Sequence, residues 1–337
     1  VSRTQMRLIK LDSRSVKELP GTLGEPDLIK SVTLLPGIQS TGEFGTGFFV
    51  RGGSSDQNLI LLEEVPVFNP SHLFGLTSVV NPEGIASVTL LKAGIPARYG
   101  ERSSSVMDIR MGSNNRDKPK VRGGIGLLNS KLSIDLPLSD QADLYLGGRT
   151  SYSNWLLHKM PDTDLMNSSA GFYDLNGLFS YTLNARNRIS LFGYASKDRF
   201  ALKPSMDYSY GNKLGSLKWN HILGKTVTSV LVAGFSRYDY STGESDTLRR
   251  ETGYTINSSL LYRNLKYNLT WIPGQAHSID MGINAMLYRV KPGDLLPYDS
   301  RSLVFPLKMQ TEKALEYALY AGDNMTFSPS MSAEIGL

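Results

Sequence analysis

The segment Phe49-Val50-Arg51-Gly52-Gly53-Ser54-Ser55-Asp56-Gln57-Asn58-Leu59-Ile60-Leu61-Leu62 decides how the chain is interpreted. It begins as a predicted strand and turns at Gly52 and Gly53, because glycine takes positive φ without a Cβ clash. A polar turn follows, and the unbroken apolar run Leu59–Leu62 is typical of a strand buried on both faces. The segment from 85 to 100 repeats the arrangement of a strand, a Gly-Pro turn and a polar corner. Composition alone predicts a small α+β unit.

Local signals place further elements around this segment. Pro26 and Asp27 begin a short predicted helix with apolar residues at helical spacing, which Pro36-Gly37 ends. Asn81-Pro82-Glu83 is typical of a capped single helical turn. A polar stretch at 114–119 interrupts the periodicity, so we place a domain boundary there and predict domains at 1–113 and 114–337.

Composition excludes several classes of function. The 337 residues include 36 Lys and Arg against 31 Asp and Glu, spread along the chain without the basic stripe of a nucleic-acid groove, so no nucleic-acid partner is expected. Cysteine is absent, which removes disulfides and thiolate metal sites. No uninterrupted apolar run reaches the roughly 18 residues that a transmembrane helix needs.

After Lys120, apolar and polar residues alternate with a period of two. In the clearest series the apolar face is formed by Ile279, Met281, Ile283, Ala285 and Leu287, and similar series run through 261–271 and 315–321. Strands of soluble β-sandwiches show the same alternation of apolar and polar residues, so this periodicity does not distinguish a sandwich from a membrane barrel. Short turns alternate with long polar connections near 156–171, 199–211, 241–252 and 291–311, a rhythm typical of outer-membrane barrels.

Two details refine the barrel prediction. If the chain enters the barrel from the periplasm, residues 119–137 must hold one upward and one downward strand, joined by a tight turn near Leu128 and Asn129. This assignment gives about ten complete strands and the start of another at Met331. Aromatic residues near predicted strand ends suit girdles at the two membrane interfaces, although strands are generally rich in aromatics. These residues are Tyr152, Trp155, Phe172, Tyr173, Tyr238, Tyr240, Trp271 and Tyr288.

Four runs between about residues 15 and 112, FxVRGGxxDQNLILL, VPVFNPSHLFG, NPEGIASVTLLKAGIPARYG and SSVMDI, strongly resemble the plug domain of TonB-dependent outer-membrane receptors, in the form common among Bacteroidetes-type bacteria. The family's barrel has 22 strands around the plug. The resemblance therefore implies a small α+β plug followed by an incomplete N-terminal portion of an antiparallel transmembrane β-barrel. One departure is local: Glu63-Glu64 stands where the family usually has Asp-Gly, and such residues adopt a two-residue type I′ turn less readily.

The resemblance implies an active transport receptor in the outer membrane, which binds an extracellular nutrient and imports it into the periplasm. The implied partners are outer-membrane lipid, a surface lipoprotein and a TonB-type energy-transducing complex of the inner membrane, whose coupling segment is not found in this sequence. Iron chelates, cobalamin, glycans and peptides all remain open as cargo. A non-transporting outer-membrane scaffold or assembly subunit with the receptor fold is one alternative, and a soluble all-β binding module is another.

No motif predicts catalysis, a cofactor or a metal, so an enzyme is not expected. His72, His158, His221 and His277 are too dispersed for a local metal motif, and each is expected to be structural or exposed. The resemblance implies that Arg51 and Arg98 seat the plug by bonding carboxylates on the inner barrel wall. The alternative is that each arginine braces its own turn. The same motifs imply that Gly52 and Gly53 take part in seating and that Gln57, Asn58, Tyr99 and Gly100 form the motif core.

Overall fold

The computed structural model describes residues 8–18, 21–22, 25–42, 47–112, 118–159, 161–162, 166–202, 206–245, 250–328 and 330–337. The N-terminal domain contains helices α1 (Ser13–Lys17) and α2 (Leu28–Val32) and single helical turns at 55–57, 73–75 and 82–84. Its strands are β1 (Leu8–Asp12), β2 (Gly21–Thr22), β3 (Glu25–Pro26), β4 (Ile38–Ser40), β5 (Phe48–Val50), β6 (Asn58–Leu62), β7 (Val65–Pro66), β8 (Ser71–His72), β9 (Thr77–Ser78), β10 (Ile85–Leu91) and β11 (Ser105–Met111).

One five-stranded sheet organises this domain, in the order β1-β10-β11-β6-β7, with β6 parallel to β11. Every residue from Leu59 to Leu62 is buried, as the apolar run predicts. Helix α2 packs Leu28 and Val32 into the same core, and the Asp27 carboxylate caps it by accepting a hydrogen bond from the Lys30 N–H at 2.9 Å. The predicted helix is thus confirmed, although α2 ends at Val32, several residues before Pro36. The predicted capped turn is confirmed at 82–84, where the Asn81 side chain accepts a hydrogen bond from the Glu83 N–H.

The hairpin between β6 and β7 is one strained part of the domain, and Leu73 and Phe74, with φ of 48° and 53°, form another. Glu63 and Glu64 form the two-residue turn of the hairpin with φ of 49° and 72°. Both values lie in the left-handed region, which costs non-glycine residues roughly 1–2 kcal/mol each. The departure noticed in the sequence is therefore a real backbone strain, and the contacts of the two side chains, described below, explain why it is tolerated.

The C-terminal part is one twelve-stranded antiparallel sheet, here called the wall, which confirms the predicted fold class. Neighbours along the chain are neighbours in the sheet, except that β21 pairs only with β20. The strands are β12 (Lys120–Ile125), β13 (Asn129–Pro137), β14 (Ala142–Ser151), β15 (Ser169–Asn184), β16 (Asn187–Leu202), β17 (Met206–Ile222), β18 (Val227–Glu244), β19 (Tyr254–Trp271), β20 (His277–Pro297), β21 (Leu307–Lys308), β22 (Glu312–Ser328) and β23 (Met331–Gly336). A four-residue helix, α3 (Asn154–Leu157), precedes β15. The predicted domain boundary at 113/114 lies outside the described residues, so the division stays a prediction.

Short turns join the strands at one end of the wall, the short-turn end, and most of the longer connections lie at the opposite end. The predicted long connection at 199–211 is wrong, because β16 continues to Leu202 and β17 begins at Met206. Alternating aromatic residues such as Tyr208 and Tyr210 favour an extended ladder there. The loops near 241 and 291 are likewise shorter than predicted. The tight turn falls at 126–128, and Asn129 already belongs to β13.

The predicted alternation along the wall strands is confirmed. On β20, Met281 and Ile283 are 37% and 45% exposed on the outer face, whereas Asn284 is 6% exposed on the inner face. The same arrangement holds on β19, where Leu265 faces outward and Lys266 inward. Among the described residues, no helix is long and apolar enough to cross a membrane.

The aromatic girdle prediction holds for some residues and fails for others. Tyr173 and Trp271 are exposed on the outer face. Phe172, Tyr238 and Tyr288 instead turn inward, where Phe172 stacks on His72 of the N-terminal domain with ring centroids 4.2 Å apart. Adjacent residues on a strand point to opposite faces, so 172 and 173 cannot both face outward.

Candidate functional site

The first predicted site lies at the Arg51 corner. Arg51 itself takes a positive φ of 51°, and its N–H donates to the Gly37 carbonyl at 3.0 Å. Gly52 has a φ of 80°, as predicted for a turn glycine. Gly53 is needed for a different reason, because a Cβ there would lie 2.4 Å from the Ser104 hydroxyl oxygen. The corner is thus a tightly packed turn.

Gln57 and Asn58 hold this corner together. The Gln57 carbonyl accepts a hydrogen bond from the Ser104 N–H at 3.1 Å. The Asn58 amide donates to the Phe48 carbonyl at 2.6 Å, and its oxygen accepts from the Ser105 hydroxyl at 2.6 Å. Both residues therefore act within the N-terminal domain, between strands β5, β6 and β11.

The second predicted corner contains Arg98, Tyr99 and Gly100. The Arg98 guanidinium donates to the Tyr99 hydroxyl at 3.0 Å, and that hydroxyl donates to the Asp108 carboxylate at 3.0 Å. Burial, followed by the charge of Asp108, raises the pKa of Tyr99, so the hydroxyl stays protonated and can donate. Gly100 is exposed. The wall meets this corner through Lys266, whose amine donates to the Arg98 carbonyl at 3.1 Å.

Within the described part of the chain, neither Arg51 nor Arg98 forms an ion pair with a carboxylate. The Arg51 residue is exposed, and the hydrogen bond of the Arg98 guanidinium is made to its neighbour Tyr99. The geometry resembles the turn-brace alternative more than direct seating. The seating role of both arginines accordingly stays a prediction.

If the two arginines seat the plug, replacing both with alanine should loosen it and raise passive leakage of small solutes, while barrel assembly is unaffected. Loss of one partner of a buried ion pair costs about 3–5 kcal/mol, because the other charge is left uncompensated. Antibiotic influx into cells that carry Arg51→Ala with Arg98→Ala measures the leak, with Arg102→Ala as an exposed control on the same loop. Leakage at the control level would assign both side chains to local bracing.

The structure brings together a different set of residues, centred on His72. This side chain is fully buried between the two domains. Its Nδ1 lies 2.7 Å from the Asp198 carboxylate on β16, and its Nε2 lies 3.1 Å from the Asp174 carboxylate on β15. Arg149 on β14 binds Asp174 through Nε at 2.8 Å and Nη2 at 2.6 Å. Four charged or titratable side chains thus form one closed network.

Backbone groups of the same loop join this network. The Leu73 N–H donates to Asp198 at 3.0 Å, and the Phe74 N–H donates to the Tyr210 hydroxyl at 3.0 Å. Arg149 also donates to the Ser78 carbonyl at 2.9 Å. We call residues 71–78, which comprise β8, a helical turn and β9, the 71–78 loop. Side chains on the inner face of four adjacent wall strands, β14 to β17, hold this loop.

A second contact uses the strained turn of Glu63 and Glu64. The Glu63 carboxylate is almost completely buried, binds the Lys218 amine of β17 at 2.6 Å and accepts the Met111 N–H at 2.7 Å. Glu64 binds Arg110 at 2.5 Å. The left-handed backbone of both residues therefore places one carboxylate on the wall and the other within the domain. A cavity of about 400 Å³, lined by both carboxylates, lies beside this contact.

The electrostatics of Glu64 follow from this position. Burial by itself raises its pKa, but Arg110, with help from Lys266 and Lys218, lowers it overall to about 2. Because the folded-state pKa is depressed, the stabilisation by Glu64 is present above the ordinary value of 4.5 and is lost as pH falls towards 2.

A third contact joins the start of the wall to the N-terminal domain. Glu83 binds Lys17 of α1 at 2.8 Å and Arg122 of β12 at 3.0 Å. Arg122 in turn binds Asp135 of β13 at 2.5 Å. The domain is thus attached through ion pairs at three separate places.

The first two contacts lie at different heights on the wall. In the register of the wall, Asp174 lies directly opposite Ser196 of β16, whereas Lys218 lies directly opposite Ser190 of the same strand. The separation of six residues corresponds to about 20 Å at roughly 3.4 Å per residue. The Lys218 contact lies nearer the short-turn end and the His72 contact nearer the opposite end.

Metal-ligand spacing, the criterion applied to the histidines of the sequence, does not reveal the role of His72. Two signals were available. His72 lies within the run NPSHLFG that carries part of the resemblance, and period-two alternation places Asp174 on the inner face of β15, opposite Tyr173 and Leu175. No local signal connects His72 to strands more than one hundred residues away.

Comparison with known proteins agrees with this architecture. A family model described as the TonB-dependent receptor plug domain matches residues 15–106. A sequence search of curated proteins finds no match. Solved structures with a similar fold include a variant of the ferric enterobactin receptor PfeA of Pseudomonas aeruginosa (TM-score 0.71, 12% identity), the siderophore receptor PirA of Acinetobacter baumannii (0.68, 15%) and the copper transporter OprC (0.74, 12%).

Each of these matches covers 98% of this chain and 56%, 56% and 53%, respectively, of the solved chain. The chain thus spans about half the length of the structures that it matches. It carries a TonB-dependent receptor plug domain, followed by wall strands in the fold of these receptors' barrel. The resemblance predicted from the plug motifs is confirmed, whereas the Bacteroidetes-type form stays a prediction. The N-terminal domain is called the plug from here on.

Proposed function

We propose that the chain forms part of an outer-membrane receptor that binds an extracellular nutrient and imports it into the periplasm, driven by a TonB-type complex of the inner membrane. The observation that supports this most directly is the ion-paired attachment of the plug to the wall. When such an ion pair separates, water hydrates both charged groups, and this hydration offsets much of the lost attraction between them. A plug held this way can move from the wall at a modest cost in free energy.

The wall supports the proposed location. Its outer face carries apolar side chains such as Met281 and Ile283, while polar and charged side chains such as Asn284 and Lys266 face the plug. This distribution is that of strands in contact with lipid on one side and with a polar interior on the other. Outer-membrane lipid is therefore proposed as the surrounding medium.

The cargo is proposed only as a class. The similar structures are named as receptors or transporters for ferric enterobactin, siderophores and copper, so metals and metal chelates are the first candidates. In this fold the residues that select a ligand lie on variable loops, which differ most between relatives.

Uptake measurements test the proposal. Cells with and without the protein are given radiolabelled ferric enterobactin, ferric citrate or copper, each with and without a protonophore that removes the inner-membrane energy source. Uptake that needs both the protein and the proton gradient is the expected result for at least one probe. Equal uptake in all strains, together with retention of a partner complex in the outer membrane, would favour the non-transporting scaffold.

A further inference from the structure

The charges around His72 do not balance unless the ring carries a proton. Arg149, Asp174 and Asp198 are each at most 5% exposed, and together they carry a formal charge of −1. An unpaired buried charge is costly in a medium of low dielectric constant. An imidazolium at His72 brings the total charge of these four bonded side chains to zero.

The hydrogen-bond geometry leads to the same conclusion. A neutral imidazole has one N–H and one lone pair, whereas the imidazolium has two N–H donors. Both ring nitrogens of His72 face carboxylate oxygens, at 2.7 and 3.1 Å. Carboxylates only accept, so a neutral ring would direct a lone pair at one of them. Only the protonated ring satisfies both contacts.

We propose that His72 is a proton-dependent latch: as an imidazolium it holds the 71–78 loop to Asp174 and Asp198 of the wall, and loss of its proton releases that loop. The proposal concerns attachment of the plug and does not depend on which nutrient is transported, or on transport at all.

The surroundings of the ring determine the direction of the effect. Besides Arg149, Asp174 and Asp198, the groups that face the network are the buried Asp27 carboxylate, which accepts the Ser78 N–H of the same loop at 2.6 Å, and the hydroxyls of Tyr194, 3.5 Å from Nε2, and of Tyr210. Phe172 covers one face of the ring. Burial by itself lowers the pKa of His72, but its hydrogen bonds with the two aspartates, and their charges, raise it overall above the ordinary histidine value of 6.5.

The sign follows from linkage. Below about pH 6.5 both the latched and the released states hold the proton, so attachment is at its strongest and independent of pH. Above that value only the latched state holds it, and attachment weakens by about tenfold per pH unit for one proton. The dependence ends once the pH exceeds the raised pKa of the latched state. The latch is therefore closed below about pH 6.5 and loosens as the pH rises from there to the raised pKa, and we call this decrease the alkaline loss.

Amide exchange of the 71–78 loop reports this opening, because the Leu73 and Phe74 N–H groups are bonded to Asp198 and Tyr210. Hydrogen exchange of the protein in outer-membrane vesicles is measured between pH 5 and 10 and corrected for intrinsic rates. Protection of this loop should be flat at low pH and then fall about tenfold per unit over the window just described. Solid-state NMR of ¹⁵N-labelled histidine should show His72 as an imidazolium at pH 7.

Three variants separate the latch from ordinary packing. His72→Gln keeps an amide donor but cannot titrate, so its protection should be lower throughout and should not show the loss that begins near pH 6.5. Asp198→Asn should abolish the alkaline loss, because a neutral ring then balances the charges and its Nδ1 lone pair can accept from the new amide. His277→Gln is the matched control, since His277 also pairs with an aspartate, Asp323 at 2.6 Å, but is half exposed.

Several outcomes would overturn the proposal. A neutral His72 at pH 7, a flat protection profile in the unaltered protein, or the same alkaline loss in His72→Gln each excludes a titrating latch. If the 71–78 loop is held more loosely at every pH in Asp198→Asn, the Asp198 carboxylate has only a structural role. None of these results bears on uptake, so the proposed function can stand or fall independently.

Discussion

Replacing Arg149 with methionine is expected to free the 71–78 loop, with a loss of about 3–5 kcal/mol in the free energy that holds it to the wall. The guanidinium is completely buried and supplies two bonds to Asp174. Methionine fills a similar volume but leaves two buried aspartates facing one histidine. A loss of this size corresponds to roughly 150- to 5,000-fold faster amide exchange in the loop at constant pH, measured by mass spectrometry.

Two further variants determine whether charge or packing is responsible. Arg237→Met is the matched control, because Arg237 pairs with Asp239 on β18 but both side chains are largely exposed, and such pairs contribute less than about 1 kcal/mol. Adding Asp174→Asn to Arg149→Met restores the balance between His72 and Asp198, so most of the loss should be recovered. Exchange in Arg149→Met that equals the Arg237→Met rate would contradict the network.

The second large effect is expected at the opposite end of the plug, where Lys218→Met removes the wall partner of Glu63. The buried carboxylate then keeps only the Met111 N–H, and we expect a loss of about 2–4 kcal/mol, below the Arg149 value because the Lys218 amine retains some contact with solvent. Faster amide exchange around 61–67 measures the loss. Lys213→Met, at an exposed position of the same strand, is the control.

The strained turn gives this prediction an independent check. Glu63→Asn with Glu64→Gly provides residues that favour the type I′ turn and relieves roughly 1–2 kcal/mol of strain at each position. It also removes both ion pairs. We expect the hairpin hydrogen bonds between β6 and β7 to be preserved while the plug loosens from Lys218. A plug held as firmly as in the unaltered protein would show that the carboxylates do not fasten it.

Much of the fold follows from the sequence, because the patterns concerned are local. Leu59–Leu62 predicts a strand buried on both faces, and the alternation through Met281 and Ile283 predicts which face of β20 is outward. Neither inference requires knowledge of distant residues. The prediction of a long connection at 199–211 is wrong because the polar and aromatic residues of this segment suit a strand as well as a loop.

The plug attachments could not be predicted in the same way. His72 is 102 residues from Asp174 and 126 from Asp198, and Glu63 is 155 from Lys218. Such pairs depend on how far the plug is inserted and on how strands are staggered, and no local pattern contains either quantity. The Glu63-Glu64 turn is a local sign of the Lys218 attachment, since a residue pair that is costly for its backbone indicates that its side chains are needed.

The separation of about 20 Å between the His72 and Lys218 contacts determines how a mechanical load on the plug would be shared between them. A load applied from the short-turn end would act first on the nearer contact, between Lys218 and Glu63. The chain between that contact and His72 is held by Asn69, which bonds Tyr238 and Asn212 of the wall. The two fastenings then yield one after the other, as in peeling, and the force required at any moment is that of a single fastening rather than of both together.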